Sequence, residues 1–307
     1  MKEGLVVKST GSRFRVREAD GTINECVIKG KFRTHGIKGT NPVAVGDMVV
    51  FDPGDKETGI IKEIKERKNY IIRKSPNLSK RYQIIAANID QALLVITLRE
   101  PETPVEFIDR FLVAAEAYRI PVKLIFNKID LYTDKELQKL NDLKDVYENI
   151  AYDCFILSLE SGEGFKIVES LLGDKISLVS GNSGVGKSTL LRKLDPSLNL
   201  KVASISDYHK QGKHTTTFAE MFLLPSGGYI IDTPGIKGFG LIDFAKEEIY
   251  HFFPEIFLIS KACKYHNCLH FDEPGCAVKE AAEKGEIVWS RYRSYLNIMF
   301  DTNSKYR

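Results

Sequence analysis

Nine consecutive residues, Gly181, Asn182, Ser183, Gly184, Val185, Gly186, Lys187, Ser188 and Thr189, follow the apolar run Ile176-Ser177-Leu178-Val179 and lead into Leu190-Leu191-Arg192-Lys193-Leu194. The order reads strand, glycine loop, helix, and G-x-x-x-x-G-K-[ST] is a phosphate site where a strand delivers the loop to a helix N-terminus. Successive backbone N–H groups then converge on one anion, and the helix dipole adds a favourable field. Glycine at 181, 184 and 186 lets the backbone approach phosphate without side-chain obstruction. Lys187 is expected to reach the outer phosphates, which makes it a catalytic candidate, and the Ser188 hydroxyl to sit on a magnesium ion.

A second polar turn, Asn127-Lys128-Ile129-Asp130, comes directly after the strand-like run Val122-Lys123-Leu124-Ile125-Phe126. A buried Asp130 carboxylate accepts two N–H bonds, which matches the ring N–H and exocyclic amine of guanine; adenine offers no such pair. Asn127 bonds the purine edge or braces the loop, and the Lys128 stem covers the base. After the next strand comes Ser158-Leu159, where a backbone N–H can meet the guanine oxygen. Downstream, Tyr229-Ile230-Ile231 ends in Asp232-Thr233-Pro234-Gly235. Asp232 at a strand end can hold magnesium through water, and the Gly235 N–H can bond a terminal phosphate, so the segment can sense that phosphate. In the polar run Gly212-Lys213-His214-Thr215-Thr216-Thr217 the threonines, Thr216 foremost, offer a hydroxyl ligand for the same ion.

Near the C-terminus Cys263, Cys268, His270 and Cys276 give C-x4-C-x-H-x5-C. Three thiolates and one imidazole make a closed tetrahedral zinc site, structural because no coordination position stays open. His266 is a rival ligand in the same loop. A disulfide is the alternative, disfavoured in a chain of five cysteines with no export signal after Met1. Cys26 and Cys154 fall in strand patterns and read as small buried apolar residues.

These residues need elements to hold them. A chain of 307 residues suggests about two domains, and 43% hydrophobic with 28% charged residues is ordinary for a soluble protein. No apolar run approaches the roughly 18 residues of a membrane span, so a cytoplasmic protein without a membrane partner is expected. A net charge of +3 does not by itself argue for nucleic acid. Residues 1–72 carry short alternating segments separated by turn signals, which predicts a small β-barrel of OB type, a fold that commonly carries oligonucleotides. Lys29, Lys31, Arg33 and Lys38 there contact phosphate or form a solvated loop. The basic stretch Lys62 to Arg81, with Tyr70 and Tyr82 among its cations, suits stacked bases or a solvated face. From Asp90 strands and helices alternate, which predicts residues 73–242 as an α/β domain, a parallel sheet with helices on both faces and ligands beyond the strands' carboxyl ends. Residues 243–307 read as an α-helical zinc-binding domain. Val288, Trp289, Tyr292, Leu296 and Met299 recur at helical spacing there, leaving Arg291, Arg293 and Lys305 exposed and able to meet RNA.

The order of the motifs is informative. An ordinary GTPase presents the phosphate loop, the threonine loop, DxxG and then NKxD, whereas here NKID and the Ser158 segment come first. The chain is circularly permuted, so the DxxG segment leads directly toward the cysteine cluster. Where many GTPases carry a water-orienting glutamine after DxxG, this chain has Ile236. Slow intrinsic hydrolysis is expected, with the positioning supplied by His214 or by a partner; His214 is equally readable as a loop histidine without a catalytic role.

With the barrel, Ala87-Asn88-Ile89-Asp90, NKID, GNSGVGKST, GKHTTT, DTPG and the cysteine cluster continuing as EPGCAV, nearly the whole chain resembles the circularly permuted, ribosome small-subunit-dependent GTPase family. The resemblance implies binding of the small ribosomal subunit and its rRNA near the decoding region, ribosome-stimulated hydrolysis of GTP to GDP, and release from the mature subunit. It also favours His214 in the hydrolysis role and His270 over His266 at zinc. A monomer using one zinc ion, and magnesium with GTP, is expected. Two rival readings remain: a GTPase switch acting on a non-ribosomal RNA or on a membrane partner, the latter disfavoured by the lack of an amphipathic membrane helix, and a binding module with a purely structural nucleotide.

Overall fold

The computed structural model describes residues 1–28, 42–54, 58–74, 82–197, 219–232 and 244–301. Five short strands open the chain: β1 (Lys2–Ser9), β2 (Phe14–Arg17), β3 (Ile23–Ile28), β4 (Met48–Asp52) and β5 (Gly59–Ile64). They pair in the order β1-β2-β3-β5-β4, and β4 returns to β1, so this barrel closes on itself without a free edge. Alternate residues point inward, and Val6, Phe14, Val16, Cys26, Val49, Phe51 and Ile61 form its core. An antiparallel hairpin, β6 (Tyr70–Lys74) and β7 (Tyr82–Ala87), follows.

Of the four cations of the basic stretch whose side chains are described, three are engaged within the protein. Arg67 is held by both carboxylate oxygens of Asp47 at 2.6 Å and by the Pro42 carbonyl. Lys65 pairs with Glu3 and Lys68 with Asp90. Lys62 is exposed. Lys29, Lys31, Arg33, Lys38 and residues 75–81 lie outside the described residues, as do His214, Thr216 and Gly235.

The second sheet region is built from β8 (Gln91–Ile96), β9 (Val122–Phe126), β10 (Asp153–Ile156), β11 (Ile176–Gly181), β12 (Glu220–Leu223) and β13 (Tyr229–Asp232), in the order β10-β9-β8-β11-β13-β12. All neighbours are parallel except β12, which runs antiparallel to β13. Four helices alternate with the strands: α1 (Val105–Ala117), α2 (Asp134–Glu148), α3 (Phe165–Leu171) and α4 (Lys187–Leu194). The period of two in β8 sorts them. Ala92, Leu94 and Ile96 pack with α1 and α2, whereas Leu93 and Val95 pack with α3 and α4. Helices therefore cover both faces, as the alternation of elements predicts.

Strand β12 does not end the sheet. Its Glu220 aligns with Lys8 of β1, joined by a 2.7 Å ion pair, so the barrel continues the parallel sheet across this strand. The C-terminal part is helical: a 3-10 helix over Lys246–Phe252, then α5 (Pro254–Ser260), α6 (Ala277–Glu283) and α7 (Trp289–Phe300). Val113 of α1 joins its core of Ile249, Phe253, Ile256, Val278, Tyr295 and Met299.

One surface expectation is overturned here. Arg291 is 1% exposed, with its guanidinium on Asp109 of α1 at 2.6 Å and on Glu255 of α5 at 2.8 Å. Burial alone would lower its pKa, but the two carboxylates raise it on balance. Hydrophobic periodicity cannot assign a buried face to a charged residue whose counter-ion lies far away in sequence. The buried face of α7 consists of Arg291, Tyr292, Ser294, Tyr295, Ile298 and Met299, while Val288 and Trp289 are exposed. Arg293 stays exposed beside Glu106, and Lys305 lies outside the described residues.

Candidate nucleotide and metal sites

The phosphate loop runs from the end of β11 into α4. Gly181 and Gly186 have φ of 142° and 104°, the region that only glycine enters without strain. A Cβ on Gly181 would come 2.4 Å from the Val95 carbonyl oxygen, and one on Gly186 would come 2.3 Å from Asn127 Nδ2. Both glycines are therefore required by close approach as well as by torsion. Lys187 is the first residue of α4, and its Nζ arches back over the loop to donate to the carbonyls of Gly181 at 2.7 Å and Asn182 at 2.5 Å. Burial pulls its pKa down to about 8.

The NKID turn meets this loop at the end of β9. Asn127 is 1% exposed. Its Nδ2 donates to the Val185 carbonyl at 2.8 Å, and its Oδ1 faces the Leu159 N–H at 3.4 Å. Of the two roles open to Asn127 in the sequence, the side chain performs the brace. Lys128 takes a left-handed backbone with φ of 67°, and its Nζ donates to the Glu100 carbonyl. Ile129 and Asp130 lie in a 3-10 turn. Asp130 is exposed rather than buried, and the Ser158 hydroxyl donates to its carboxylate at 2.5 Å. An exposed carboxylate held on one side by a hydroxyl remains open to N–H donors arriving from solvent.

Ser158 itself is buried, and its N–H is taken by the Glu163 carbonyl at 2.9 Å. The N–H left for a purine oxygen is that of Leu159, whose bond to Asn127 is long. The sheet order brings all three segments to one end, since β10, β9, β8 and β11 are consecutive parallel neighbours whose carboxyl ends face the same way. Asp232 closes β13 two strands from β9's neighbour β8, so its backbone reaches the same end.

Three contributors carried no sequence signal. The Tyr132 hydroxyl donates to the Asn127 carbonyl at 2.8 Å and accepts from the Leu98 N–H at 2.7 Å, locking the NKID turn to the β8 loop. The Ser161 N–H supports the Ser158 hydroxyl at 3.0 Å. Lys193 of α4 donates to the Leu159 carbonyl. Each depends on a loop conformation that spacing does not reveal.

The cysteine cluster assembles between α5 and α6. The ligand atoms of Cys263, Cys268, His270 and Cys276 all lie within 4.8 Å of one another. His270 Nδ1 sits 3.5 Å from Cys263 Sγ and 3.6 Å from Cys276 Sγ, and those two sulfurs are 4.0 Å apart, too far for a disulfide bond. The donor set fits zinc: three sulfurs and one ring nitrogen converge on a common centre. Burial lowers the pKa of His270, which favours the neutral imidazole a metal needs, and raises the thiol of Cys268 to about 12. Crowded buried thiols are costly to ionise unless a cation joins them. His266 is exposed outside the cluster, and the histidine brought to the three sulfurs is His270. The loop is shaped from outside the ligand set: Glu273 accepts from the N–H groups of Leu269, Phe271 and Asp272, while Tyr292 and Tyr295 cap the carbonyls of His270 and Leu269. Cys26 is fully buried in the barrel and Cys154 half-buried in β10, neither near a ligand group. Among the described residues no helix is long and apolar enough to cross a membrane.

Comparison with known proteins gives a consistent picture. A family profile described as RsgA GTPase matches residues 64–242, and one described as RsgA N-terminal domain matches residues 3–61. The small ribosomal subunit biogenesis GTPase RsgA of Bacteroides fragilis is 55% identical over 306 residues, 99% of each chain. The protein of that name from Christiangramia forsetii is 54% identical over 308 residues, 99% of this chain and 98% of its own. Among solved structures, YjeQ from Thermotoga maritima superposes with a TM-score of 0.80 at 34% identity, covering 98% of each chain. YloQ, described as a circularly permuted GTPase, gives a TM-score of 0.76 at 32% identity over 97% of this chain and 94% of its own.

Proposed function

This chain belongs to the RsgA GTPase family, and from that premise we propose that it hydrolyses GTP on the small ribosomal subunit, binding its rRNA and acting late in subunit assembly. The observation that carries the reading is the side chain of Asn127, which ties the NKID turn to Val185 of the phosphate loop and to Leu159 at once. One nucleotide can then span the three segments. The base meets Asp130 through its ring N–H and amine and Leu159 through its oxygen, with the Lys128 stem along its face. The phosphates lie on the N–H groups of residues 182–189 at the start of α4, with Lys187 supplying positive charge. Bound magnesium would neutralise charge on the outer phosphates, and Ser188, Thr216 and Asp232 are the residues assigned to hold it, directly or through water.

Ile236 cannot orient a water molecule, so hydrolysis is slow until a partner completes the site, with His214 as the positioning group. Gly235 reads the terminal phosphate. Zinc on Cys263, Cys268, His270 and Cys276 fixes the C-terminal loop and takes no part in the chemistry, because all four positions are filled by protein. We further assign residues 1–72 to RNA binding, 73–242 to the GTPase domain and 243–307 to the zinc domain, in a monomer of the cytoplasm.

The test is steady-state phosphate release with GTP, with and without purified small subunits, with ATP as the control nucleotide and Lys187→Ala as the blank. A large acceleration by subunits, absent with ATP, is expected. A GTP rate indifferent to ribosomal subunits would move the partner to another RNA and leave the guanine chemistry in place.

A further inference from the structure

The base-reading segment is held from two sides, and only one of them lies in a recognised motif. In the Ser158–Leu159 peptide, the carbonyl accepts the Gly162 N–H at 2.9 Å, which turns the Leu159 N–H toward Asn127 Oδ1. In the next peptide, the Leu159 carbonyl accepts from Lys193 Nζ. The Leu159 side chain is buried with Val185 and with Leu190, Leu191 and Leu194 of α4. Lys193 stands six positions after Lys187 on the same helix, which is about 9 Å along its axis. The helix that receives phosphate on its first turn thus grips the base loop from its last. A lysine in a last turn also suits the helix dipole, but that role needs no bond to a neighbouring loop. Arg192 beside it bonds within its own helix, to the Ser188 carbonyl at 3.2 Å.

We infer that Lys193 is a positioning residue for base selection. By fixing the Leu159 carbonyl it aims the Leu159 N–H at an oxo group on position 6 of a purine, so the site takes 6-oxopurine nucleotides. This rests on the guanine reading given above. Without Lys193 the peptide after Leu159 is released, and the Leu159 N–H is held only through its own peptide, by the Gly162 bond to the Ser158 carbonyl.

The experiment measures dissociation constants of GDP, inosine diphosphate and 6-thioguanosine diphosphate for the full chain and for Lys193→Ala and Lys193→Arg, after thermal melts establish that each variant folds. Inosine keeps the 6-oxo group. 6-Thioguanine keeps the ring N–H and amine but offers sulfur, a poor acceptor. Lys193→Ala should weaken GDP and inosine diphosphate alike by about tenfold, the scale of a charge-assisted hydrogen bond, and weaken the thio nucleotide far less. Lys193→Arg should restore most of the loss. An equal loss on all three nucleotides, or no loss, overturns the inference. Asp130→Asn separates the two layers, since it should turn preference from guanine toward xanthine. If it does not, the guanine reading falls together with the inference; if it does while Lys193→Ala acts equally on all nucleotides, the inference alone falls.

Discussion

At the scale of single residues the strongest handle is Lys187. Its ammonium is the form that meets phosphate, yet burial pulls its pKa down to about 8. Below that value the lysine is already charged and nucleotide affinity is insensitive to pH. Above it, binding must take up a proton, so affinity falls with rising pH by up to about tenfold per unit. GDP affinity measured by calorimetry between about pH 7 and 9, in two buffers of different ionisation enthalpy, should show that decline together with net proton uptake. Affinity that stays level, with no buffer dependence, would mean that Lys187 remains fully charged throughout. The same residue shows what a motif conveys. The pattern G-x-x-x-x-G-K-S identifies Lys187 without reference to tertiary structure, because loop, helix dipole and lysine are contiguous. Asn127 is different: its type allowed two roles, and the choice follows from Gly186, whose missing Cβ leaves the space that Asn127 Nδ2 occupies.

Among elements, the loop between α5 and α6 gathers three thiols and an imidazole within 4.8 Å of one another, so it has much to gain from a metal. The four clustered residues were legible as a group because zinc demands fixed residue types at short spacing. Its supports were not. Glu273 binds three N–H groups of the loop, and the tyrosines of α7 cap two of its carbonyls, contacts that exist only once the chain has turned. Those tyrosines transmit the loop's order to α7, so metal removal should loosen both. The cores around β8 use no residue of this loop. Chelation should therefore raise amide exchange across residues 263–299 while leaving GDP affinity within about twofold, as expected where metal binding is coupled to the folding of one unit. Unchanged exchange would show that the loop holds itself; lost GDP binding would show that the nucleotide pocket depends on it.

On the scale of the whole molecule, motif order disclosed the permutation, and alternating periodicity disclosed a sheet covered on both faces. What neither could disclose were the joints between units, because these pair residues far apart in sequence. Strand β12 is four residues long and borrows β1 as its outer neighbour, with Lys8 opposite Glu220. The second joint is charged. Arg291 of α7 bonds Asp109 of α1 and Glu255 of α5, Tyr147 of α2 donates to the same Asp109 oxygen at 2.9 Å, and Arg110 pairs with Asp301 just beyond α7. Helix α1 is thereby fastened to the helices flanking the cysteine cluster by a nearly dry ion pair. Replacing a buried pair with apolar groups can be neutral, but removing one partner strands the other charge at about 3–5 kcal/mol. Arg291→Ala should incur that cost, through Asp109 at 0% exposure. The loss falls on a joint rather than within either core, so its signature is in cooperativity as well as midpoint. Calorimetry of the variant should resolve two unfolding transitions where the parent shows one, the earlier one assigned to residues 244–301 by hydrogen exchange. A single transition at the parent's temperature would mean that the apolar contact through Val113 suffices and that the arginine adds nothing to the joint.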